Sequence, residues 1–159
     1  MTLLLVVKLA HVIGAAVLLG TGAGIAFFMV MANRTGDARL IAHTAGVVVL
    51  ADTLFTATAV VLQPLTGLWL ASLSGYGLTE FWILCSIGLY GVTGLFWLPV
   101  VWIQLRLRML ARQAADAAAP LPPAYHRLWR IWFVCGFPAF AAVLAIFWLM
   151  IARPAAWPA

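Results

Sequence analysis

From Leu3 to Ala32 the chain carries a single formal charge, Lys8, and three more long apolar runs follow. About 20 apolar residues suffice for a helix to cross the hydrocarbon of a bilayer. The runs occupy residues of about 3–32, 40–73, 81–111 and 125–152. None alternates with period two and all are too long for barrel strands, so backbone groups held in lipid must be satisfied within helices. The expected fold class is all-α: a polytopic membrane protein with an antiparallel four-helix transmembrane bundle, one domain over 1–159. The third run includes a polar helical extension beginning at Gln104. Residues 113–124 form an Ala/Pro linker, in which Pro120, Pro122 and Pro123 cannot propagate a helix. The first run is too long for a secretory signal peptide and lacks its basic leader.

Composition excludes the common soluble classes. The chain is 66% hydrophobic and 8% charged, against about 45–50% and about 25% in soluble domains. The net charge of +5 is no sign of nucleic acid, because the cations sit at the ends of apolar runs. Arg34, Arg39, Arg106, Arg108, Arg112, Arg127 and Arg130 flank the first and third connections, whereas Lys8 and Arg153 stand on the other side. The positive-inside rule puts the seven arginines in the cytoplasm and both termini outside, in the periplasm of a bacterial inner membrane. Tryptophans support two interfacial belts, with Trp102, Trp129 and Trp132 near the basic side and Trp69, Trp82, Trp148 and Trp157 near the other. Cys85 and Cys135 lie singly in apolar stretches, without the spacing of a zinc or redox motif.

Small residues suggest close helix approach. Ala16, Gly20 and Gly24 recur every four residues, with Gly22 widening the strip, and Gly88, Gly91 and Gly94 thin the third helix. They read as packing surfaces within the bundle, as a homo-oligomer contact through Ala16, Gly20 and Gly24, or as places where a cofactor meets bare backbone. Pro99, and Gly136 with Pro138, are expected to bend the third and fourth helices.

Ionisable groups inside hydrocarbon are costly and are therefore functional candidates. Lys8 and His11 are three residues apart, on one helix face. Lys8 can snorkel to the interface, while His11 lies about 10–15 Å inside the helix end. His11 reads as a hydrogen-bonded core residue or as a ligand or proton carrier. Asp52 sits near the middle of the second run, in a stripe with Thr56, Ala59 and Gln63, followed beyond Pro64 by Thr66 and Gly67. Its carboxyl group reads either as a structural hydrogen bond to Thr56, Tyr90 or Thr93, or as a proton relay or polar lining opposite His11. Gln63 is expected at the depth of His11, with Glu80, Trp82, Cys85, Trp148 and Met150 at the same outer level. His43 and His126 start the second and fourth helices and could meet at the basic side, about 30 Å from His11. A haem held at His11 would need a second ligand of another kind, such as Met150. No zinc-protease, phosphate-loop, nucleophile-elbow or dinucleotide signature is present.

The segments Lys8-Leu-Ala-His-Val-Ile-Gly-Ala, Asn33-Arg-Thr, Asp52-Thr-Leu-Phe-Thr, Thr66-Gly and Gly94-Leu-Phe-Trp-Leu, with the closing Arg153-Pro, resemble a bacterial family of predicted four-helix integral membrane proteins that carries a domain of unknown function. That family is similar in layout to copper-resistance D type membrane proteins and to small haem-carrying membrane protoporphyrinogen oxidases. The resemblance implies haem b as cofactor and His11 as the ligand of its iron.

Three functions are consistent with these readings. The first is a haem-binding membrane oxidoreductase with an outer-half pocket: His11, Met150 and Gln63 at the cofactor, Lys8, Asp52, Thr56 and Glu80 as proton relay or polar lining, and quinone or porphyrin as partner. The second is a non-catalytic accessory or assembly subunit. The third is a small ion or metal transporter.

Overall fold

The computed structural model describes residues 2–155, and over that range the chain is four long helices joined by short connections. Helix α1 spans Leu3–Thr35, α2 Ala38–Leu73, α3 Phe81–Asp116 and α4 Pro123–Ala152, each long and apolar enough to cross a membrane. The first turn between helices is written in its residues. Gly36 adopts the left-handed conformation that ends α1 (φ 67°), and the Asp37 carboxylate caps α2 by accepting from the N–H groups of Arg39 at 2.8 Å and Leu40 at 3.4 Å.

The outside of the bundle is greasy. Ile151 is 81% exposed and Leu95 71%, with Phe27, Phe28, Leu50 and Val134 also turned outward. Apolar exposure on this scale would be untenable in water and is ordinary against lipid tails. The main core lies toward the basic end, where Ile25, Met29, Ile41, Val48, Leu107, Tyr125 and Trp132 pack together. A smaller cluster of Ala71, Trp82, Ile83 and Leu149 closes the opposite end. There Arg153 donates from Nη1 to the Tyr76 hydroxyl at 2.8 Å and lies over the Tyr76 and Trp82 rings, tying the end of α4 to the α2–α3 connection.

Helix α2 is not one regular rod. Residues Asp52–Thr56 form a π-turn, the Ala57 N–H reaching back to the Asp52 carbonyl. Before that turn α2 packs on α3 and α1; after it, the helix leans on α1. Pro64, one further disturbance, has no N–H to give to the Val60 carbonyl four residues earlier. The Tyr90 hydroxyl of α3 donates to that carbonyl instead, which is how proline is tolerated within lipid.

Several expectations need correction. Helix α3 continues to Asp116 rather than 111 and α4 begins at Pro123, so the expected linker of 113–124 shrinks to residues 117–122. Ala111 and Ala114 are buried there, Arg112 pairs with Asp116 one turn on at 4.0 Å, and Pro123 occupies a first-turn position that needs no N–H. Two tryptophans assigned to the interfacial belts are buried: Trp132 is 5% and Trp82 8% exposed, whereas Trp69, Trp102 and Trp148 are exposed. Trp157 lies outside the described residues. Finally, the expected packing glycines do not pack within this chain. A Cβ on Gly20, Gly22, Gly88, Gly91, Gly94 or Gly136 would meet nothing, and on Gly24 only Phe28 of the same helix. The core face of α1 runs instead through Val7, His11, Gly14, Ile25, Met29 and Ala32, roughly opposite the Ala16–Gly20–Gly24 strip.

Candidate functional site

Two glycines that face each other's helices set the site. A Cβ on Gly14 of α1 would run into the Gln63 side-chain nitrogen of α2, and one on Gly67 of α2 would stand 3.1 Å from His11 Cε1. Each helix thus offers bare backbone where the other sends a polar side chain. Through the gap, Gln63 Nε2 donates to the His11 carbonyl at 2.9 Å. The His11 ring lies across Gly67, its Nδ1 2.9 Å from Thr66 Oγ1.

These bonds determine the state of the imidazole. Thr66 has one hydroxyl proton, and the Leu62 carbonyl, 2.7 Å away, takes it. The Thr66 oxygen therefore accepts from His11, so the ring proton resides on Nδ1 and Nε2 keeps its lone pair. A neutral imidazole whose other nitrogen is tied to a neighbour is the arrangement that orients a metal-binding histidine. Gln63 stands at the depth of His11, as expected, and Thr66 and Gly67 supply the rest of the cradle.

A second polar group lies deeper, just past the π-turn's start. Asp52 is 5% exposed. Its Oδ1 accepts from Trp97 Nε1 at 3.4 Å. With the Gln104 amide turned so that its nitrogen faces Asp52, Gln104 donates to Oδ2 at 3.2 Å and its oxygen accepts from Trp132 Nε1 at 3.3 Å. The Thr56 hydroxyl lies beside the carboxyl group, buried and without a well-formed hydrogen bond. Asp52 thus joins α2, α3 and α4. The partners expected for it were Thr56, Tyr90 or Thr93, but Tyr90 serves the Val60 carbonyl and Thr93 donates to Leu89 in its own helix.

The remaining expected residues fall elsewhere. Lys8, one turn before His11, is exposed, as is Glu80 at the cap position of α3. Met150 packs on the Ala71, Trp82, Ile83 and Leu149 cluster. His43 lines a groove between α2 and α3, whereas the His126 ring meets Tyr125 edge-on where Tyr125 donates to Asn33 of α1 at 2.8 Å, so the two histidines stand in separate neighbourhoods. Among the described residues no three His, Cys, Asp or Glu side chains converge in a metal-binding group.

Gly14, Trp97, Gln104 and Trp132 were missed. Gly14 is three residues beyond His11, and Gln104 seven beyond Trp97, so helical spacing put each on the face of a partner. Tryptophan's preference for interfaces and the polar tail of α3 obscured that second pair.

No curated protein matches the chain, and neither does any solved structure. A family model described as predicted integral membrane protein (DUF2269) does match, over residues 5–154. The matched range takes in nearly all of the four apolar helices, and the chain belongs to this family of predicted integral membrane proteins.

Proposed function

We propose that the protein is a membrane redox protein that takes haem b through Nε2 of His11, in the half of the bilayer nearer the chain termini. The carrying observation is the fixed tautomer: Thr66 holds the Nδ1 proton and leaves Nε2 as a free donor. The residues present fit one axial nitrogen ligand. Met150, on a separate cluster, is not placed as its partner. Haem at that position would supply one-electron chemistry, tuned by axial ligand and pocket polarity. Gln63 and the two glycines hold the imidazole still, and Asp52, bonded to Trp97 and Gln104, holds a proton or a charge near the middle of the membrane. A lipid-soluble quinone or porphyrin is the matching partner. The basic end faces the cytoplasm of a bacterial inner membrane in this reading, by the positive-inside rule.

The test is an absorption spectrum of the protein purified from cells supplied with a haem precursor. A Soret band that moves on reduction, persists in Met150→Leu and disappears in His11→Ala supports the proposal. A wild-type protein without such a band, or a His11→Ala protein that keeps it, overturns it.

The buried Asp52 network favours a second reading, a small ion or metal transporter. Flux into liposomes that falls in Asp52→Asn would favour it over haem chemistry. The outward strip of Ala16, Gly20 and Gly24 fits a third, an accessory subunit or homo-oligomer, read by the mass of the complex extracted in mild detergent.

A further inference from the structure

Between the first half of α2 and the end of α3 runs an open groove of about 640 Å³, within the roughly 300–1,000 Å³ typical of small-ligand sites. Its chemistry changes along its length. At the membrane surface it is lined by Arg39, His43, Arg108 and Arg112. Deeper in, its wall is Val47, Leu50 and Thr53. From Arg39 to Thr53 is fourteen residues of helix, roughly 21 Å at 1.5 Å per residue. That distance runs from a phosphate layer most of the way to the centre of the bilayer.

The cations are largely uncompensated. Among the described residues the one ion pair is Arg112 with Asp116, at 4.0 Å and well exposed. The other nearby acid, Asp37, is occupied as the cap of α2. Arg108 owes its position to Gly46: a Cβ there would stand 3.7 Å from Arg108 Nε. Bare backbone on α2 lets the arginine lie across the groove at the point where polar lining gives way to apolar. Val47 and Leu50, 52% and 59% exposed, have no protein cover.

We infer that this groove is a binding site for an anionic phospholipid, with the phosphate among Arg39, Arg108 and Arg112 and an acyl chain along Val47 and Leu50. Charge complementarity selects the headgroup, since arginine forks match phosphate oxygens and basic pockets between transmembrane helices suit anionic lipids. The apolar floor selects a lipid over a soluble phosphate. The inference is independent of what His11 binds.

The experiment uses delipidated full-length protein in neutral detergent, titrated with phosphatidylglycerol, phosphatidylcholine or inorganic phosphate, and read by native mass spectrometry and thermal unfolding. One phosphatidylglycerol per chain is expected to stay bound and to raise the Tm, with phosphatidylcholine held at least tenfold less. The Arg39→Gln/Arg108→Gln double variant is expected to lose at least tenfold in retained phosphatidylglycerol. Gly46→Leu, which displaces Arg108 without changing the charge, is expected to do the same. Arg127→Gln/Arg130→Gln on α4 removes equal charge outside the groove and is expected to retain the lipid. Equal retention of the two lipids by the wild type overturns the inference whether or not any variant folds. So does loss of lipid in the α4 variant equal to that in the groove variant, which would mean net charge alone attracts it. Full displacement of phosphatidylglycerol by inorganic phosphate at equal concentration also overturns it, marking a phosphate site instead.

Discussion

Gly14 and Gly67 each leave room for the other helix's polar side chain, and larger residues there would drive the helices apart. Gly14→Leu or Gly67→Leu is expected to cost about 1–3 kcal/mol, the usual penalty for overpacking, seen as a lower midpoint in detergent-denaturant unfolding followed by circular dichroism. Gly20→Leu, with open space around it, is expected to leave the midpoint of the monomer unchanged. Equal losses at all three would show that the two glycines have no special place. Asp52→Leu is expected to be more damaging than Asp52→Asn, because it strips the acceptor from Trp97 and Gln104, and a buried donor left unpaired costs about 1–3 kcal/mol. Legibility at this scale follows from contrast. A lone His11, Asp52, Gln63 or Thr66 stands out in an apolar run because hydrocarbon tolerates polar atoms only where they are satisfied. Gly14 carries no such contrast, since a glycine announces neither which face it is on nor what approaches it. Gln104 was hidden by its place at the edge of a charged segment.

Proline inside a helix raises the question of where the orphaned carbonyl goes, and in α2 the answer is on another helix. Tyr90→Phe leaves the Val60 carbonyl without its donor and is expected to lower stability by about 1 kcal/mol, the usual net value of one hydrogen bond. In a Pro64→Ala background the backbone N–H that alanine brings restores the bond within α2, so the same Tyr90→Phe change is expected to cost little. A double-mutant cycle in unfolding free energy measures this coupling. Strictly additive costs would mean that the Tyr90 bond and the missing proline N–H are unrelated. Helix existence and number were readable from run length and the near-absence of charge. Helix ends were less so, because alanine-rich Ala111 to Ala115 propagates a helix whether or not lipid surrounds it. The π-turn was not readable, for nothing in Asp52 to Thr56 distinguishes a five-residue turn from an ordinary one.

As a whole, the molecule has a well-packed half near its arginines and a looser half near its termini, where α1 with α2 and α3 with α4 form two pairs. The candidate ligand lies in the looser half and the lipid groove in the packed one, so loss of either function leaves the other to be measured separately. Orientation has its own test in spheroplasts treated with a membrane-impermeant maleimide, in a background with Cys85 and Cys135 replaced by serine. Ser74→Cys in the α2–α3 connection is expected to be labelled from outside and Ala118→Cys in the α3–α4 connection to be protected. The reverse pattern would place the arginines outside.

The widened turn at Asp52 has one more effect. Removing a single residue between 52 and 56 would restore an ordinary helix and swing everything after it by about 100°. Ile41, Ala45 and Val48 would stay seated, while Gln63 and Thr66 would swing off the histidine they steady. One surplus residue acts as a fixed angular offset cut into a single rod, and through it one segment keeps two appointments with neighbours that stand on different sides.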